Sequence, residues 1–144
     1  MPVEEAHVEE RLELENTVLH MHRYRGLVLL FEVKGHLGLS IAQSMIAWAE
    51  KALEAHGKIH ALHDWKDVSG YTAAGRLELT RFLFVHRHRF LSAHLLVLAR
   101  DVEFGVEVAN IVLKNKINVH HDISTFNRAL DFAIRSATLD DKLS

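Results

Sequence analysis

The stretch His60–Arg76, HALHDWKDVSGYTAAGR, decides the fold. It follows an apolar run (Ile59, Ala61, Leu62) and precedes a long helical pattern. It therefore reads as a strand end, a loop and a helix start. In α/β proteins that junction is where sites usually sit. Thr72 has the chemistry of an N-cap, and the helix it opens is expected to run to about Phe90. At helical spacing that segment carries two apolar stripes. Leu79, Leu83, His86 and Phe90 form one, with Phe82 beside it; Ala73, Leu77 and Phe84 form the other. One must face a sheet, and the other is free for a neighbouring helix or a partner chain.

Upstream, residues 1–10 read as a flexible acidic tail and residues 11–138 as one domain. Leu12 and Leu14 alternate with charges, and Glu15-Asn16 signals a turn. Val18–Tyr24 reads as a strand with His20 and His22 on one side and Leu19 and Met21 on the other. Arg25-Gly26 is a second turn signal. Leu27–Val33 is nearly all apolar, as a central strand buried on both faces should be. Gly35-His36-Leu37-Gly38 reads as a glycine-rich loop without phosphate-cradling spacing. Ser40 with Gln43 forms a capping box for a helix closed by Gly57.

Downstream, Ala93–Ala99 reads as a strand, and Asp101 can cap a helix over Val102–Leu113 that ends at Asn115. Ile117–His120 is a short strand. Asp122 or Ser124 caps a last helix with Phe126, Ala129, Leu130, Ala133 and Ile134 on its core face. Residues 139–144 read as a polar tail. Strands alternating with helices imply a largely parallel sheet plus a hairpin, about five strands with about four helices.

Composition narrows the function. The chain of 144 residues suits one domain, and its net charge of -2 gives no basic field for nucleic acid. No cysteine is present, which excludes disulfides and thiolate chemistry. No apolar run approaches the roughly 18–20 residues that cross a bilayer. The acidic N-terminus is unlike a signal peptide, so a cytoplasmic location is expected.

Three constellations can carry chemistry. His63-Asp64 and His120-His121-Asp122 each end a strand, and two histidines with an aspartate suit zinc or ferrous iron. His86-Arg87-His88-Arg89 is a basic run suited to phosphate or to a helix C-terminus. Ser69 is the only serine with a base and a carboxylate (His63, Asp64) close in sequence, and no serine sits in G-x-S-x-G.

The order of elements, together with this junction, resembles the STAS superfamily of anti-sigma-factor antagonists, especially its SpoIIAA-like branch. The likeness runs from about Leu27 to Ile134. Leu27–Gly35 and Ser40–His56 resemble the family's strand, glycine and first helix. Leu62–Val68 resembles its aspartate-ended strand, and Thr72-Ala73-Ala74-Gly75 falls where the family's D-S-S-G opens the second helix. His86–Phe90 is similar to its basic stretch. The resemblance implies an α/β single-domain SpoIIAA-like fold and a non-enzymatic regulatory interaction module. Its partner would be a regulatory kinase, a sigma-factor regulator or a second copy of the chain, with no cofactor. The residues it points to for partner binding are Asp64, Trp65, Lys66, Ser69, Tyr71, Thr72, Ala73 and Arg76. Ala73 replaces the phosphorylated serine, so the usual phospho-switch does not carry over. Thr72 is a displaced acceptor or simply the N-cap. Two alternatives stand beside this. One is a nucleotide- or lipid-binding domain with a pocket lined by Val102–Leu113, Phe104 and Phe126. The other is a metal-dependent enzyme on His63, Asp64, His120, His121 and Asp122.

Overall fold

A computed structural model describes residues 7–98 and 116–143, with side chains to residue 139. Among these residues a six-stranded mixed sheet runs in the order β1-β2-β3-β4-β5-β6, with three α-helices. The strands are β1 (His7–Leu14), β2 (Thr17–Tyr24), β3 (Val28–Leu37), β4 (Ile59–Tyr71), β5 (Phe90–Leu96) and β6 (Asn118–His120). The helices are α1 (Leu39–His56), α2 (Ala73–Val85) and α3 (Ile123–Leu143). β1, β2 and β3 pair antiparallel, whereas β3 to β6 pair parallel. The expected helix Val102–Leu113, with Asp101, Phe104 and Asn115, lies outside the described residues.

The turns follow from local chemistry. Glu15 and Asn16 take φ of 50° and 66°, the pair of left-handed conformations that a two-residue hairpin turn needs. Alternation along each strand then sorts residues between two layers. Leu19, Met21, Leu29, Phe31, Ile59, Trp65 and Leu95 join α1 in one core, with Leu79 and Phe82 of α2 packed on it. Val28, Leu30, Leu62 and Leu96 join Phe126 and Ala133 of α3 in the other. The core face expected for the last helix is thus the one used.

Several boundaries differ from expectation. Residues 7–10, expected in a loose tail, are the first half of β1. Glu9 and Glu10 are exposed on opposite faces of an edge strand, so no apolar alternation marks it in the sequence. Residues 139–143, expected as a tail, continue α3. Gly35, His36 and Leu37 continue β3 by pairing with Val68, Gly70 and Tyr71, and a Cβ at Gly35 (φ 114°) would crowd the Asn16 carbonyl. The N-cap of α1 is Gly38 without a side-chain hydrogen bond, so the Ser40–Gln43 capping box is not formed. Gly57, at φ 76°, ends that helix as expected. α2 stops at Val85, and a 3-10 turn over Arg87–Arg89 leads into β5.

The largest correction concerns the opening stretch. Ile59–Tyr71 is one strand of 13 residues, not a strand end and a loop. Its pairing with β3 slips twice, between Glu32 and Lys34 and between Gly35 and His36. Each slip inserts one extra residue into β4, as a β-bulge does. The bulges explain why Trp65, Val68 and Tyr71, each three residues apart, all reach the same core. A period of three matches neither strand nor helix, which is why the sequence reads as a loop.

Candidate functional site

The end of β4 feeds directly into α2. Thr72 accepts a hydrogen bond from the Gly75 N–H at 2.9 Å and so caps the helix as expected. Gly75 is buried where α2 meets the start of α1. A Cβ there would lie 3.0 Å from the backbone of Gly38, so glycine is required by close approach. Ala73 lies exposed at the first turn.

Beneath α2 the sheet leaves a cavity of about 70 Å³. Its walls include Phe31, Ala49, His63, Trp65, Tyr71, Arg76, Leu79 and Phe90. The His63 ring stacks on Phe31 at 5.2 Å and meets Trp65 edge-on at 6.2 Å. His63 Nδ1 and Trp65 Nε1 are both buried without a hydrogen-bond partner among the described residues. Burial lowers the His63 pKa to about 4, so the ring is neutral near pH 7. The cavity is therefore apolar, and its lining residues include one arginine and two rings that each hold an unpaired nitrogen.

The partner-binding residues expected from sequence divide three ways. Trp65, Tyr71 and Arg76 line this cavity, and Trp65 is only 8% exposed, so it is not an outward anchor. Asp64 is buried on the opposite face, where Lys66 pairs with it. Burial works against the Lys66 ammonium, but the hydrogen bond it donates to Asp64 and the charges of Asp64, Asp67 and Glu32 hold its pKa above the ordinary lysine value. Ser69 and Ala73 are exposed and Thr72 is a cap. The second apolar stripe of α2 remains open, with Leu77 55%, Phe84 48% and Val85 61% exposed.

The histidine–aspartate constellation does not assemble. His63 and Asp64 are neighbours in one strand and face opposite layers. His120 hydrogen-bonds His94 across adjacent strands at 2.9 Å, and Asp122 accepts from the Ser124 N–H at the start of α3. Burial first, then the charges of His120 and His60, lowers the His94 pKa to about 4. The basic run is also spent locally. Arg89 donates to the carbonyls of Gly57 and Leu53 and closes the end of α1, while Arg87 stacks on Phe84 at 4.4 Å. Phe126, expected in a pocket, belongs to the α3 core instead.

Sequence reasoning missed the polar wing of the α3 face. There β1, β2 and β3 place His7, Glu9, His20, His22 and Glu32 side by side. The hydrogen bond to His20 is the first cause holding the Glu9 carboxyl below its ordinary range. His20 and His22 were legible as one strand face; reading 7–10 as a tail hid their partners.

No protein-family model matches the chain, and no curated protein sequence matches it. Among solved structures it is similar to an uncharacterised protein of the DUF3478 family with a SpoIIAA-like fold, from Shewanella loihica PV-4. The TM-score is 0.57 and the identity 18%, over 89% of this chain and 94% of that one. The architecture is thus an α/β SpoIIAA-like fold, as the sequence resemblance implies. No helix among the described residues is long and apolar enough to cross a membrane.

Proposed function

We propose that the protein is a non-enzymatic regulatory module of the STAS type whose input is a small ligand bound under α2. The ligand is a mostly apolar molecule bearing one hydrogen-bonding or anionic group. The observation that carries this reading is an apolar cavity whose wall is formed in part by Arg76 and by two rings, His63 and Trp65, that each hold an unpaired nitrogen. Buried polar groups normally find partners, and leaving one unpaired costs about 1–3 kcal/mol. A ligand acceptor at Trp65 would relieve that cost. Arg76 on the same wall suits an anionic head. The cavity is smaller than pockets that hold drug-sized ligands, so a short-chain or single-ring carboxylate fits better than a nucleotide.

The test is a thermal-shift and fluorescence titration with short-chain and aromatic carboxylates, using Trp48→Phe to leave Trp65 as the only reporter. A saturable change in Trp65 emission, weakened by Arg76→Ala and blocked by Ala49→Phe, is expected. No change across the series would reject the reading.

A second reading rests on the open Leu77–Phe84–Val85 stripe of α2. It spans positions i, i+7 and i+8 of one helix face, the pattern of a helix that docks on a partner. A regulatory kinase, a sigma-factor regulator or a second copy of the chain would cover it. Sedimentation of the free protein, with Phe84→Glu as the disrupting variant, tests the second-copy case. A wild-type monomer would exclude self-association.

A further inference from the structure

The polar wing of the sheet is built from residues that ligate metals, and its spacing is informative. Glu9 lies directly opposite His22 in the β1–β2 pairing, with His7 two residues before it on the same face. His7 Nε2 is 3.1 Å from His22 Nδ1, and Glu9 Oε2 is 3.5 Å from the same nitrogen. In a tetrahedral zinc site, with ligands at about 2.0–2.2 Å, neighbouring donors stand roughly 3.3 Å apart. These separations match that edge. His20 Nε2 is 2.9 Å from the same Glu9 oxygen and lies outside the His7–Glu9–His22 group, so it holds that carboxylate from the side.

The tautomer of His22 points the same way. Its Nε2 is 2.6 Å from Glu32 Oε1, and a carboxylate can only accept, so Nε2 is the donor. In the neutral ring Nδ1 then carries a lone pair, aimed between His7 and Glu9. A carboxylate behind a ligating histidine is the usual outer support of a metal site. His22 is the least exposed of the group, at 10% of its side chain, whereas Glu9 is open at 55%. The site thus has a fixed inner ligand and an accessible outer one.

We propose that the β1–β2–β3 wing carries a divalent transition-metal site, with zinc the best-matched ion. His7, Glu9 and His22 ligate, water fills the open position, His20 holds the Glu9 carboxylate, and Glu32 orients His22. A metal there ties the edge strand β1 to the sheet. The competing explanation is a chain of hydrogen bonds among the same groups with no affinity for metal, and the two differ in a direct measurement.

Untagged full-length protein is titrated with zinc by calorimetry, and the metal-to-protein ratio is read after gel filtration. One zinc per chain is expected, with binding weakened by acid, because protons compete with the metal for its ligands. Cobalt should give the strong visible bands of tetrahedral coordination. His7→Gln and Glu9→Gln, both at exposed positions, should weaken zinc at least 100-fold while circular dichroism stays unchanged. Glu32→Gln should weaken it about 10–100-fold. His94→Gln and His120→Gln should leave it unchanged. Absence of stoichiometric zinc overturns the site. So does binding that survives His7→Gln and Glu9→Gln together, or that is lost with His94 and His120 instead.

Discussion

On the α1–α2 face one histidine, His63, lies against Phe31 and Trp65 with its Nδ1 unpaired. On the other face His7, His20 and His22 meet one another and the carboxylates of Glu9 and Glu32. His63 is held neutral by burial in one layer, whereas His7, His20 and His22 are set among hydrogen-bonding partners in the other. What separates them is strand alternation, which sends consecutive residues such as His63 and Asp64 into different layers. A histidine count therefore says little about chemistry until each histidine has been assigned to a face.

The sharpest way to break this comparison is to cut the supporting ring. Phe31→Ala removes the surface on which His63 stacks and opens a void in the main core. A loss of about 3–5 kcal/mol in urea unfolding is expected. A loss under about 1 kcal/mol would mean that the layer repacks freely and that the cavity is not a fixed feature.

Acidification should act next most strongly, and on the helical face. The unfolded chain protonates His63 near its ordinary pKa of 6.5, whereas the folded chain resists until about 4. Between those values the unfolded state binds more protons, so stability falls as pH falls. The contribution is fully present above about pH 6.5 and lost by about pH 4, on the order of 3 kcal/mol. His94 acts in the same direction, but its partial exposure screens the effect. His63→Leu should flatten this part of the profile and gain about 1 kcal/mol at pH 7, since it also removes an unpaired buried nitrogen. An unchanged slope between pH 6.5 and 4 would contradict the burial of His63.

The layers themselves were largely legible. Continuous apolar runs at Leu27–Val33 and Ala93–Ala99 identify central strands, and the 3.6-residue recurrence from Phe126 to Ile134 identifies the helix that covers them. The site was less legible, for two physical reasons. The bulges in β4 break the alternation that reveals a strand, so a half-buried strand looked like a recognition loop and Trp65 like an exposed anchor. The acidic residues of β1 sit on an edge, where charges discourage further strand pairing and also resemble a solvated tail. Arg89 shows a third limit. Its bonds to Leu53 and Gly57, 36 and 32 residues earlier in the chain, close α1, a partner that no local pattern indicates.

The junction between the layers offers a smaller effect. Thr72→Ala removes the cap of α2 and should cost about 1 kcal/mol, whereas Thr72→Ser keeps the hydroxyl and should cost less. If Thr72 also serves as a phosphate acceptor, Thr72→Ala will lose function that Thr72→Ser keeps, by more than their difference in urea midpoint explains.

The smallest effect belongs to the open face, and it sharpens the contrast most. In metal-free protein His20→Ala removes a hydrogen bond to Glu9 whose members are 35% and 55% exposed. Exposed pairs contribute little, because water replaces them and salt screens them, so the change should stay within about 0.5 kcal/mol. Phe31 and His20 are similar rings on opposite faces of adjacent strands. A ratio of several-fold between their truncations would show that burial, not ring size, governs the sheet's stability. If His20→Ala in the absence of metal cost as much as 2 kcal/mol, the polar wing would be structural in its own right, and its histidines would no longer be free to serve a ligand.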